Sequence, residues 1–91
     1  MNAREYLIAM RNERGLTQKD VSRGLGISES YYNLIEHGSR QKNMSFSILL
    51  GLSKVMNVSV EVLMNKEKIF ANELAKEWKF RLKKKLEALK W

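Results

Sequence analysis

Cysteine is absent from this chain and histidine occurs once, at His37. Without cysteine there is neither a disulfide framework nor a thiolate metal site, which suits a reducing interior compartment. One histidine cannot assemble a metal cluster by itself, and the acids are not clustered, so no metal and no cofactor is expected. Nor is there an evident nucleophile–base pair, which argues against an enzyme. No segment approaches the roughly 18 uninterrupted apolar residues of a membrane-spanning helix, and the N-terminus lacks the apolar core of a signal peptide. These absences predict a soluble, cytoplasmic protein with no membrane partner. At 91 residues and 44% hydrophobic content, the chain can form one domain with a small core.

Acids are outnumbered, 10 Asp+Glu against 17 Lys+Arg, for a net charge of +7. The excess is uneven. Residues 1–65 carry 8 cations against 6 anions, net +2, whereas residues 66–91 carry 9 against 4, net +5. Such a surplus suits nucleic acid, an anionic membrane or an acidic protein about equally, so charge alone selects no partner.

The most informative stretch runs from Thr17 to Gly38 and reads as two short helices joined by a tight turn. Thr17 can cap the first, and Val21 and Leu25, four residues apart, give it one apolar face. Gly26 can then take the left-handed conformation that ends one helix and turns the chain into the next. Ser28 can cap the second helix. Ile27, Tyr31 or Tyr32, and Ile35 supply its buried side, leaving Glu29, Ser30 and Asn33 outside. Short polar side chains on an exposed helix face can reach base edges in a DNA major groove.

Leu16-Thr17-Gln18, Gly26-Ile27-Ser28, Ile35-Glu36, Gly38 and Val58-Ser59-Val60 recur here in a telling order and spacing. As a set they resemble the helix-turn-helix of the lambda-repressor-like family, of XRE or Cro type, over residues 3 to 65. The resemblance implies an all-α fold, with a five-helix DNA-binding domain over 1–65 and residues 66–91 lying beyond it. Ser22 stands where that family usually has alanine, Tyr32 where it usually has a smaller β-branched or aliphatic residue, and Met44 where it often has proline.

The resemblance also implies roles for particular residues. Arg11 should pair with Glu36, tying the first helix to the recognition helix. Gln18, at the start of the second helix, should help hold a DNA phosphate. Resemblance and exposure together nominate Ser28, Glu29, Ser30 and Asn33 as base-facing, with Tyr31 beside them. Asn33 suits adenine N7 and N6, and Glu29 suits cytosine N4, although a first-turn acid is also favoured by the helix dipole alone. Leu34 is a secondary candidate for a thymine methyl. Arg40 and Lys42, in the polar loop after Gly38, are the expected backbone contacts.

Elsewhere the periodicity predicts a first helix over Asn2–Arg14, with Asn2 and Glu5 in capping-box spacing and Ala3, Tyr6, Leu7 and Met10 on one face. Ser45 can cap a fourth helix through Met56, with Phe46, Leu49, Leu50, Leu52, Ser53 and Met56 at core spacing. Gly51 weakens that helix by about 1 kcal/mol relative to alanine and can mark close helix approach. Val58–Met64 reads as a short fifth helix capped by Ser59.

Residues 66–91 contain no glycine or proline. On a helical wheel Phe70, Ala71, Leu74, Ala75, Trp78, Leu82, Leu86 and Leu89 fall within an arc of about 160°. This predicts one long amphipathic helix. Trp78, Leu82, Leu86 and Leu89 are the expected homodimer interface, with Phe70 and Leu74 nearer the domain and Lys83-Lys84-Lys85 solvated or close to DNA. The helix could instead fold back on its own domain. The leading functional expectation is a sequence-specific regulator of transcription that binds a double-stranded DNA operator, a repressor of phage or mobile-element type. Its main rival is an antitoxin-like or adaptor protein whose C-terminal helix binds another protein; a third reading lays that helix on a membrane surface, with Trp78 and Trp91 at the interface.

Overall fold

The computed structural model describes residues 3–89, and among these the chain forms five helices and no strand. They are α1 (Glu5–Glu13), α2 (Gln18–Leu25), α3 (Glu29–Glu36), α4 (Phe46–Met56) and α5 (Val60–Ala88). Four begin at a hydroxyl residue. Thr17, Ser28, Ser45 and Ser59 sit in extended backbone, and each accepts from the amide three residues on, those of Asp20, Tyr31, Ile48 and Val62. Each such cap stabilises its helix by about 1 kcal/mol. At Thr17 the bond is reciprocal, because Asp20 also accepts from the Thr17 amide at 2.9 Å. That backbone bond is the main reason the Asp20 carboxyl is held below its ordinary range.

α1 starts later than its periodicity suggests. Arg4 occupies the N-cap without a side-chain cap bond, and its amide donates instead to the Glu36 carbonyl at 2.8 Å. The proposed Asn2 cap lies outside the described residues. The core gathers Leu7 and Met10 from α1, Val21 from α2, Tyr32 and Ile35 from α3, and Leu63 from α5. α4 contributes Ile48, Leu49, Leu52 and Met56. Two assignments on α4 are therefore corrected: Phe46, in the first turn, is 70% exposed and Leu50 is also exposed, while Ile48 is buried. The inward stripe runs i, i+1, i+4, i+8 from Ile48, which turns Phe46 and Leu50 towards solvent. Tyr32, an unusual residue for its position, is wholly buried. Ser22 is buried too, its hydroxyl donating to the Lys19 carbonyl at 2.8 Å.

α2 and α4 cross at two glycines. A Cβ on Gly51 would lie 2.5 Å from Leu25 Cδ2, and one on Gly24 would overlap Val55 Cγ2. Gly51 thus permits the close approach its position suggested.

The short fifth helix and the C-terminal helix are one. α5 runs 29 residues without interruption, about 43 Å at 1.5 Å per residue. Leu63 and Phe70 anchor its first three turns in the domain. Leu74 is half-buried, and beyond it Trp78, Phe80, Leu82, Leu86 and Leu89 are exposed. No helix among the described residues is long and apolar enough to cross a membrane.

Candidate nucleic-acid interface

The turn between α2 and α3 is set by Gly26, whose φ of +71° is left-handed backbone. Its amide donates to the Arg23 carbonyl and the next amide, of Ile27, to the Ser22 carbonyl, closing the C-terminus of α2. Ser28 then opens α3 at once. The outer face of α3 and the start of α2 line one open depression, formed by Gln18, Glu29, Ser30, Asn33 and Leu34. Four of the residues nominated from the sequence as DNA contacts thus share a single surface.

Beneath it runs a chain of hydrogen bonds. Arg11 Nε donates to Glu36 Oε2 at 2.7 Å and its Nη2 to Oε1 at 3.3 Å; Nη1 holds the Leu16 carbonyl at 3.0 Å. Gln18 Nε2 donates to Glu36 Oε1 at 3.0 Å, and Asn33 Nδ2 donates to Gln18 Oε1 at 3.1 Å. Because a carboxylate only accepts, Glu36 dictates which end of the Gln18 amide faces it. Gln18 in turn dictates that Asn33 donates through its nitrogen. Asn33 keeps its carbonyl oxygen and a second N–H.

Glu36 is 2% exposed. Burial works hardest against its ionisation, but the bonds from Arg11 and Gln18 and the nearby Tyr32 hydroxyl outweigh it, so its carboxyl stays below the ordinary glutamate range. Arg11 is shifted up, chiefly by its bond to Glu36. Tyr32 Oη has no hydrogen-bond partner among the described residues. Burial first, then neighbouring Glu36, pushes its pKa up and keeps it a neutral phenol.

The other nominated residues lie around this face. The Ser28 hydroxyl oxygen accepts from the Tyr31 amide at 3.1 Å, while Glu29 and Ser30 are exposed. Tyr31 is half-buried and its hydroxyl accepts from Gln41 Nε2 at 2.8 Å, while Gln41 Oε1 accepts from the Ser45 amide, also at 2.8 Å. Gln41 thus joins α3 to the start of α4 across the loop that carries Arg40 and Lys42, both exposed cations. Trp78 lines one cleft with Gly38, Ser39 and Lys42, whereas Leu82, Leu86 and Leu89 are exposed further along α5.

Sequence reasoning missed a second polar centre. Arg4 is wholly buried, its Nε and Nη2 donating to Glu67 Oε2 and Oε1 at 2.8 and 3.0 Å. Nη1 donates to the carbonyls of Ile35 at 2.7 Å and Arg40 at 3.1 Å, and Nη2 also to that of Gln41. The guanidinium lies 4.4 Å from the centre of the Phe70 ring, and Tyr6 Oη donates to Glu67 Oε2 at 2.5 Å. Burial, reinforced by that bond, raises the Tyr6 pKa. Arg4 and Glu67 are 63 residues apart, beyond any periodic signal.

Two short helices crossed at a left-handed glycine, the second offering a polar outer face, define a helix-turn-helix protein. The Helix-turn-helix family model matches residues 7–63, and the chain belongs to that family, of XRE type. The chain is 32% identical over 75 residues to the uncharacterized HTH-type transcriptional regulator YqaE of Bacillus subtilis (strain 168), covering 79% of this chain and 63% of the relative. It is 35% identical over 48 residues to the uncharacterized HTH-type transcriptional regulator YqaF of the same organism, covering 53% of this chain and 63% of that relative. The chain thus matches less than two thirds of the length of either. No solved structure matches it significantly. Both relatives carry the name of HTH-type transcriptional regulators.

Proposed function

We propose that this chain is a sequence-specific repressor of phage or mobile-element type, which binds its double-stranded operator as a homodimer and lays α3 in the major groove. The observation that carries the reading is the ordered Asn33–Gln18–Glu36–Arg11 chain beneath an exposed polar face. A second N–H and a carbonyl oxygen on Asn33 match adenine N7 and N6, so Asn33 can read adenine without releasing Gln18. The remaining N–H of Gln18 and the free amides at the start of α2 suit a phosphate. Glu29, Ser30 and the donor side of Ser28 flank Asn33 as further base contacts, with Tyr31 beside them. Arg40 and Lys42 contact the backbone from the loop after α3. Repression then follows from occupancy, because a dimer held on an operator that overlaps a promoter blocks polymerase.

A binding selection from a random DNA pool with the purified full chain tests this. Enrichment of a two-fold symmetric site supports the reading, and recovery of no common sequence removes it. The exposed Trp78, Leu82 and Leu86 favour one other reading, an antitoxin-like or adaptor protein that binds a different protein through α5. Self-association of the chain expressed alone separates the two.

A further inference from the structure

Arg40 and Lys42 are exposed on the loop after α3, and one buried side chain grips the backbone of that loop. The carbonyls of Ile35, Arg40 and Gln41 all accept from the Arg4 guanidinium, so the end of α3 and the start of the loop are held as one unit. Arg4 is in turn clamped from the far side. Glu67 of α5 takes its Nε and one Nη in a two-point fork, and the Phe70 ring lies against the guanidinium. Gln41, whose carbonyl Arg4 holds, has a φ of +56°, left-handed backbone that a residue with a Cβ adopts at a cost. Both Arg4 and Glu67 fall outside the matched span 7–63, so the clamp is built from the flanks of the motif.

We propose that Arg4, held by Glu67 and Phe70 of α5, is a positioning residue for DNA binding: it presents the Arg40–Lys42 loop to the phosphate backbone without touching DNA itself. This rests on the reading of that loop as a phosphate contact. Guanidinium chemistry is specific to the task. A planar fork can meet a carboxylate on one edge and carbonyls on the others at once, whereas an ammonium cannot span them. The consequence is a mechanical link between α5 and the DNA surface. Any partner that shifts the first turns of α5 also shifts the loop.

The test uses the full chain, with affinity for a selected operator measured across salt concentrations and folding checked by circular dichroism. Arg4→Lys keeps the charge and loses the fork, Glu67→Gln keeps the shape and loses the charge, and Phe70→Leu removes the ring but stays apolar. Each folded variant should bind more weakly and flatten the log K against log salt slope by about 0.9 for each phosphate contact released. A general loss of stability would leave that slope unchanged. Glu73→Gln, an exposed site on the same helix, should behave as the parent. Parent-like slopes in folded Glu67→Gln and Phe70→Leu would overturn the proposal. A measurement on the unaltered chain decides the matter if these variants fail to fold. Amide relaxation should find residues 40–42 as rigid as the helices without DNA, and a loop mobile on the nanosecond scale would overturn the proposal. Arg40→Gln and Lys42→Gln test the underlying reading. If neither alters the slope, the loop is not a phosphate contact; if they do and the Arg4, Glu67 and Phe70 variants do not, only the positioning role falls.

Discussion

Asn33 and Gln18 lie 15 residues apart in sequence on successive helices, and the 3.1 Å bond between their amides orients both. Asn33→Ala should relax discrimination at one or two base pairs of the operator, at a cost of roughly 1–3 kcal/mol for a lost bidentate contact. Gln18→Ala should cost affinity too, and the double variant should cost less than the two single effects added, because the first change already disrupts the shared unit. Base-preference matrices for the three variants provide the check. Parent-like preferences in Asn33→Ala would remove it from the reading set.

Arg11 and Glu36 form a pair in which one partner is buried and the other 14% exposed. Removing Arg11 strands the Glu36 charge, and Arg11→Ala should lower stability by about 3–5 kcal/mol, as for other buried pairs that lose one member. Urea unfolding would measure this. A loss below about 1 kcal/mol would mean that the pair behaves as an ordinary surface ion pair.

The same carboxylate gives the chain an acid limb. The folded pKa of Glu36 lies below its ordinary value of 4.5, so its contribution is complete above that value and is lost as pH falls through the lower folded one. The unfolding midpoint of the parent should therefore drop more steeply than that of Glu36→Gln as pH is lowered below 4.5. Parallel profiles would assign the acid sensitivity to other carboxyls, such as the capping Asp20.

What the sequence made legible was local. Thr17, Ser28, Ser45 and Ser59 each cap the helix expected of them, and Gly26 turns the chain where a left-handed residue was needed. Counting on α4 went astray because Phe46, Leu49 and Leu50 satisfy a helical spacing as readily as Ile48, Leu49 and Leu52, and only the packing partner chooses. The break expected between the fifth helix and residue 66 does not exist, since nothing from Val60 onward stops a helix: the stretch has no glycine or proline. Arg4 and Glu67 were invisible for a different reason. An ion pair joining the two ends of a domain leaves no periodic trace.

The glycines at the α2–α4 crossing should not respond alike. An added methyl at Gly24 meets Val55, whose β-branched side chain is stiff at χ1, whereas one at Gly51 meets the end of Leu25, which can turn away. Gly24→Ala should thus destabilise by about 1–3 kcal/mol, the usual cost of overpacking. Gly51→Ala should lie near neutral, because about 1 kcal/mol of helix propensity offsets the shift of Leu25. Thermal unfolding of both variants is the measurement, and a larger loss at Gly51 would reverse the ranking.

The distal half of α5 has more apolar surface than solvent favours. Phe70 is buried against Arg4, but Trp78 is 66% exposed and Leu86 55%, with Leu82 and Leu89 exposed on the same arc. Such a stripe on a helix that extends past its own domain calls for a cover, and a second copy can supply it through the same residues in a two-fold interface. That symmetry also serves the proposed task. Helix-turn-helix dimers read half-sites about 34 Å apart, and a helix about 43 Å long has the reach to hold two domains at that separation. Leu82→Asp with Leu86→Asp should leave the domain folded, since both side chains lie beyond its core, and should abolish dimerisation. Binding to a single half-site should survive while the gain from pairing two half-sites disappears. Sedimentation equilibrium of parent and variant at about ten to a hundred times the concentration used for DNA binding would decide. A monomeric parent, or a variant that dimerises as well as the parent, would assign the stripe to another occupant.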